Sequence, residues 1–357
     1  MKEIKVLMLG GKRCGKTTVL SSMYSSINSV LSGTGLSISV DDPSTQVELD
    51  RARRAIIDRM EQFKKPLTSC EVDDNPTSAE RSYSFSLRRE VNGKGKGGGI
   101  PFRIHDIPGE WLTDQNAGKV KELIADCQVI LIAIDTPYLF AKMTDKGYGQ
   151  YHERYNKPIE ITNFFKNSLS VDDLRDRMIL FVPIKCERYY HLDRSVHLRE
   201  FGRRYMQEVT QAVGAGYRDL ILYLRSTEAL VDHCTIAVTP ILSAGGIDFI
   251  SFRQDPQTGK MISYYQAPEF LPQGQGGYSP MFCAQPMIYI LTYLLLQACD
   301  AQQQKNPLFQ FGSSLTVGMN LGQMQAAIDT LQKRMKRNSG LLAQDDGYLF
   351  IQNPRGM

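Results

Sequence analysis

Apolar and polar positions divide the chain into short buried runs separated by longer mixed segments. Ile4 to Leu9 is continuously apolar and predicts a buried strand. A helix-compatible segment follows from Thr17 toward Val30, then a short strand from Leu36 to Val40. Asp41-Asp42-Pro43-Ser44 reads as a helix start with Ser44 as N-cap. From Val47 to Phe63 the apolar residues Val47, Leu49, Ala52, Ala55, Ile56, Ile57, Met60 and Phe63 form roughly a helical stripe. Lys64 to Ala79 reads as a loop.

Arg81 to Glu90 alternates, with Tyr83, Phe85 and Leu87 on one face, and predicts a half-buried strand. A Gly- and Lys-rich turn, Val91 to Gly99, joins it to a strand from Ile100 to Ile107, so the pair predicts an antiparallel hairpin. Gln128 to Ile134 and Met178 to Pro183 are continuous apolar runs, expected of central parallel strands covered on both faces. A helix is expected around Ile159 to Leu169, others from His197 to Val213 and Tyr217 to Leu224, and a strand from Cys234 to Leu242. Phe249 to Pro280 reads as a loop-rich insertion. Met281 to Cys299 predicts an apolar helix, too short to span a bilayer. Beyond residue 300 a tail carries an amphipathic helix, Met324 to Met335, and a strand-like Tyr348 to Ile351. Strands alternating with helices predict a doubly wound, mostly parallel α/β sheet.

Candidate chemistry sits at the first strand's end. Gly10-Gly11-Lys12-Arg13-Cys14-Gly15-Lys16-Thr17 satisfies G-x-x-x-x-G-K-[ST] between a strand and a helix, the context a phosphate-binding loop requires. A polyphosphate needs converging backbone N–H donors, and a helix N-terminus supplies more of them. Lys16 would reach the β- and γ-phosphates and Thr17 would ligate Mg²⁺, with Thr18 in the helix's first turn beside them. Cys14 reads as a small filler within the loop. Asp106, at the end of the second hairpin strand, fits the Walker-B carboxylate, and Gly109 completes D-x-x-G, its N–H free to face the γ-phosphate.

Composition changes the picture little. The 357 residues are 42% hydrophobic and 22% charged, ordinary for one large globular domain or two. A net charge of +4, with dispersed basic residues, does not point to nucleic acid. Met1-Lys2-Glu3 runs straight into the first strand, and the seven cysteines form no C-x-x-C pair. Both features fit a cytoplasmic protein without a secretory leader or transmembrane segment.

Together these motifs resemble a Ras-like P-loop GTPase of the translation-factor-related class, and among those the bacterial double-GTPase type with large insertions. The resemblance covers residues 1–300, with insertions at about 36–80, 136–170 and 249–280, and leaves 301–357 as a C-terminal helical tail. It implies GTP/GDP and Mg²⁺ as ligands. It implies that Lys185 packs over the base, that Glu187 accepts the guanine N1–H and N2 amino group, and that Ser243 and Ala244 form the loop reaching guanine O6. Ile184-Lys185-Cys186-Glu187 departs from N-K-x-D by losing the Asn and lengthening the Asp. A carboxylate remains, and it can only accept, which suits guanine. Glu110 stands where such enzymes often place a water-orienting Gln, and its charge beside a γ-phosphate predicts slow hydrolysis. The Mg²⁺-binding switch threonine is expected at Thr77, with Thr68 as the alternative. Arg51, Arg53, Arg54 and Arg59 read as a solvated basic face, or alternatively as the source of an arginine supplied in cis. The function implied is a slow GTPase switch acting on a protein partner through the insertions or tail. A nucleotide-bound scaffold and an ATP-using P-loop enzyme are the alternatives.

Overall fold

The computed structural model describes residues 3–12, 14–61, 69–71, 80–91, 94–112, 115–141, 151–191, 200–254, 256–257, 261–267, 277–304, 319–338 and 349–357. The chain opens with β1 (Ile4–Gly10), α1 (Lys16–Leu31), β2 (Leu36–Val40) and α2 (Pro43–Glu61). Then come β3 (Ser69–Glu71) and the hairpin β4 (Arg81–Val91) and β5 (Lys94–Asp106), followed by a 3-10 turn (Gly109–Leu112) and α3 (Ala117–Asp126). Next are β6 (Val129–Asp135), α4 (Thr136–Phe140), a π-helical turn (His152–Asn156), α5 (Pro158–Ser168), α6 (Val171–Leu174) and β7 (Met178–Ile184). The second half holds α7 (Glu187–His191), α8 (Glu200–Gly216), α9 (Arg218–Ser226), α10 (Glu228–Val231), β8 (Thr235–Val238), β9 (Gly245–Gly246), β10 (Asp248–Gln254), β11 (Met261–Gln266) and β12 (Gly277–Tyr278). It closes with α11 (Gln285–Gln304), α12 (Leu321–Asn338) and β13 (Leu349–Gln352).

Among the described residues the main sheet has eight strands, in the order β13-β8-β7-β6-β1-β5-β4-β2. The inner five are parallel and the flanking pairings antiparallel. The period of two along a strand explains the three layers. Val6 and Met8 of β1 join one core with α1 and α11, whereas Leu7 and Leu9 join a second core with α3, α5 and α9. β6 splits the same way, Leu131 and Ala133 to one side, Ile130 and Ile132 to the other. That two-sided burial is why these strands carry no polar face.

The insertions and the tail are more ordered than their composition suggests. The segment from Phe249 to Pro280, expected as loop, supplies β10 and β11, which pair antiparallel and add β3 from the expected 64–79 loop as a third strand. Strand-forming Phe, Ile and Tyr residues are frequent there, with Phe249 and Tyr265 packing inward. The α2 start also differs: Asp42, not Ser44, caps it, its side chain accepting from the Thr45 N–H at 2.8 Å. Beyond residue 300, α12 lays Met324, Ile328 and Leu331 against α11, and β13 pairs with β8 at the sheet edge. Covered by the sheet and by α12, α11 is a core helix; among the described residues no helix is long and apolar enough to cross a membrane. Leu331 is fully buried in this seam. Leu331→Ala is expected to lower the unfolding free energy of the whole domain by about 2–5 kcal/mol in a single urea transition. A tail that folded apart would leave the main transition in place.

Candidate functional site

β1 delivers the phosphate loop to the C-terminal edge of the parallel strands, where open α/β sheets gather their ligands. The loop wraps from Gly10 to Gly15 and α1 starts at Lys16. Lys16 is buried, and its ammonium donates to the carbonyls of Gly10 and Gly11, each at 3.3 Å. Asp106, fully buried at the end of β5, lies in register with Met8 of β1. Its Oδ2 accepts from the Thr17 hydroxyl at 3.2 Å, and its Oδ1 stands 4.0 Å from the Lys16 ammonium. Gly109 then packs on the loop backbone: a Cβ there would come within 2.5 Å of the Lys12 N. Only hydrogen fits, so glycine is required by space.

The 136–170 insertion braces the same loop from behind. A Cβ at Gly11 would fall 1.7 Å from the Tyr155 carbonyl oxygen, so the π-helical turn and the loop share a backbone contact. A buried network holds that turn. Asn156 Oδ1 accepts from the Asp135 N–H at 2.8 Å, and Asn156 Nδ2 donates to the Asp135 carbonyl and to His152 Nδ1, each at 3.0 Å. His152 Nδ1 is therefore an acceptor, and Nε2–H donates to the Gly216 carbonyl at 3.3 Å.

The base-reading candidates converge on the other side of the loop. Lys185, with φ 58, turns the chain after β7, runs its stem past Gly15 and pairs with Asp135 Oδ2 at 2.7 Å. Glu187 is 1% exposed. Its Oε1 accepts from the Ala244 N–H at 2.6 Å, the Gly245 N–H at 3.2 Å and the Ser243 hydroxyl at 3.4 Å. The Ser243–Ala244 loop, expected to reach guanine O6 through its backbone, donates its Ala244 N–H to Glu187 in this structure.

A cavity of about 370 Å³ joins the two ends. Gly15, Lys16, Thr17 and Thr18 line one side of it, and Lys185, Glu187, Ser243 and Ala244 another, with Cys14 behind. Burial raises the Cys14 thiol above its ordinary pKa, so it stays protonated as a filler. Lys12 of the loop, and Gly109 and Glu110 beside it, do not line this cavity. Glu110 forms an ion pair with Lys12. Partial burial pushes its carboxyl up, but the Lys12 hydrogen bond prevails and holds it below the usual carboxylate range. The charge expected to repel a γ-phosphate thus already has a cation beside it. Arg13, Thr68 and Thr77 lie outside the described residues.

Sequence reasoning offered the α2 arginines as an alternative source of an arginine in cis but did not place the rest of the cavity's walls. Glu48, Arg51 and Ala52, Ala55 and Ile56, then Arg59 and Met60 of α2 line it, as do Arg81, Ile247 and Tyr265. The apolar stripe read along α2 is half cavity wall: Leu49 enters the main core, while Ala55 and Ile56 face the cavity. The readable signal was the three-and-four spacing of 48, 51, 52, 55, 56, 59 and 60, which puts them on one helix face.

Strand, loop and helix in this arrangement define a phosphate-loop α/β fold. No protein-family model and no curated protein sequence matches the chain. Among solved structures, it is similar to the signal recognition particle receptor SRb-GTP/SRX complex from Chaetomium thermophilum, with 13% identity, 69% of this chain and 93% of that one covered, and a TM-score of 0.36. It is also similar to the S. cerevisiae Ski7 GTPase-like domain. The form bound to GDP and inorganic phosphate gives 12% identity and a TM-score of 0.31, the form bound to GTP 15% and 0.29. In both cases 68% of this chain is covered, and the match spans 43% of the Ski7 chain.

Burial pushes the His152 pKa down to about 4, against about 6.5 in an unfolded chain. Between those values the unfolded state binds more protons, so stability is full above pH 6.5 and falls as pH drops toward 4, by up to roughly 3 kcal/mol. Urea unfolding of wild type and His152→Asn across that range is expected to show a steeper acid loss in the wild type. Parallel curves would remove His152 as the cause.

Proposed function

We propose that the chain is a guanine-nucleotide-binding protein that hydrolyses GTP slowly with Mg²⁺ and switches conformation for a protein partner. The observation that carries this reading is the single cavity onto which Lys16 and Thr17 open from one end and Lys185, Glu187, Ser243 and Ala244 from the other. Those residues come from three distant stretches, and their chemistry divides as a nucleotide's does: cation and hydroxyl at one end, carboxylate and backbone amides at the other. The buried Lys16 holds its place by two long bonds to carbonyls, which a phosphate oxygen would replace with stronger, charge-assisted ones.

The donor set suits Mg²⁺. The Thr17 hydroxyl and Asp106 carboxylate are hard oxygen ligands 3.2 Å apart. No group of three or more His, Cys, Asp or Glu side chains forms a metal site among the described residues. Mg²⁺ is commonly held by one or two protein oxygens, with phosphates and waters completing the octahedron. When bound, it would neutralise charge on the β- and γ-phosphates. Glu110, paired with Lys12, is the candidate for orienting the attacking water. Base recognition rests on Glu187, whose carboxylate must share its Ser243–Gly245 donors with guanine.

Competition binding of GDP, GTP, ADP and ATP with Mg²⁺ tests the reading, with Lys16→Ala as the blank. Guanine nucleotides are expected to win by about a hundredfold, 2.7 kcal/mol. Equal binding of both bases would move the assignment to a general NTPase. In single-turnover hydrolysis, Glu110→Gln is expected to change the rate; an unchanged rate would show that Glu110 does not orient the water.

A further inference from the structure

The roof of the cavity is a single helix face, with Glu48 and Arg51 toward its N-terminal end and Ile56, Arg59 and Met60 toward the other. Met60 clusters with Ala244, Ile247 and Tyr265, which marks the base end. Arg51 precedes Met60 by nine residues, about 13 Å along the helix axis. Near it on the cavity wall stand Glu48, one turn earlier on α2, and Arg81. Arg81 opens β4 in register with Asp106 and interacts electrostatically with Glu48 and Asp106. Arg51 therefore lies at the end where Thr17 and Asp106 are.

Arg51 makes no hydrogen bond or ion pair among the described residues. It stands at the rim, lining the cavity and also an outer groove that Asp50, Arg54 and Asp58 share. The guanidinium is a planar fork of donors that matches two phosphate oxygens at once. Toward the cavity middle, Ala52 and Ala55 leave the roof low-walled, so a ligand beneath α2 meets no bulky side chain between Arg51 and Ile56.

We propose that Arg51 is a triphosphate-binding residue supplied in cis by the roof helix, reading the terminal phosphate of the nucleotide that the phosphate loop holds. This rests on the nucleotide-binding reading above. It gives α2 a direct role at the ligand and separates Arg51, which lines the cavity, from Arg54, which lines the outer groove and not the cavity.

The test is titration of the purified full chain with Mg²⁺ and a fluorescent GDP or a fluorescent, non-hydrolysable GTP analogue. Wild type is compared with Arg51→Ala, Arg51→Lys, Arg54→Ala and Lys16→Ala. Arg51→Ala is expected to lose about tenfold or more in triphosphate affinity while diphosphate affinity stays within a few-fold. Arg51→Lys should recover part of the loss, since it restores charge without the fork, and Arg54→Ala should match wild type. If Arg51→Ala follows Arg54→Ala, or weakens both nucleotides equally, the assignment of Arg51 to the terminal phosphate falls while the nucleotide site stands. If wild type binds neither nucleotide, the nucleotide reading fails and this assignment goes with it.

Discussion

A buried ammonium needs acceptors, and Lys16 finds them in its own loop. Removing a charge from water without partners is among the costliest events in folding. Here the carbonyls of Gly10 and Gly11 turn inward to meet it, and Asp106 adds a negative charge 4.0 Å away. That arrangement demands a loop wrapped tightly enough to aim two successive carbonyls at one nitrogen. It also demands that β5 end beside β1, so that Asp106 arrives at the right height. The strand order answers the second demand, since β1 lies between β5 and β6. The first is answered by close neighbours: Gly109 on one side of the loop and the Tyr155 carbonyl on the other leave the backbone no slack.

The insertions serve this site rather than standing away from it. The 136–170 connection braces the loop through Asn156 and Tyr155. The 249–280 segment places Tyr265 on the cavity and stacks Phe252 on Tyr138, 4.4 Å between ring centroids and 3° between planes. Tyr138 also stacks on Tyr155 at 4.4 Å, so one aromatic ladder ties the inserted hairpin to the turn behind the loop. Aromatic pairs at such spacing add modestly to the area they bury. Their larger effect is geometric, because two insertions distant in sequence become one support.

Much of this was legible in the chain itself. Continuous apolar runs marked β6 and β7 because both of their faces are covered, and alternation marked β4 because one face is not. The phosphate loop and Asp106 were legible because their chemistry requires particular residues at fixed spacing. What escaped were contacts whose partners are remote in sequence. Nothing local in Tyr265 or Ile247 says that they meet Met60, and an Ala at position 55 looks the same facing a cavity as facing a core. Glu187 was recognisable as a carboxylate in the right place, but its reach to the Ala244 amide depends on how far β7 and β8 stand apart, which is a property of the folded sheet. The Lys12 pairing of Glu110 was hidden for the same reason, since it joins two loops separated by the whole hairpin.

The roof helix is held unequally at its two ends. At the N-terminal end Asp42 caps it, the Ser84 N–H donates to the Thr45 hydroxyl at 3.2 Å, the Ser21 hydroxyl donates to the Leu49 carbonyl at 3.2 Å, and Leu49 is buried in the main core. At the other end Met60 rests on a small satellite cluster with Ala244, Ile247, Phe249 and Tyr265. Leu49 thus ties that end to the main core and to α1, whereas Met60 packs on the satellite. Ala244 belongs to that satellite and also donates its N–H to Glu187, so the wall that carries the buried carboxylate and the C-terminal end of the roof helix rest on one another.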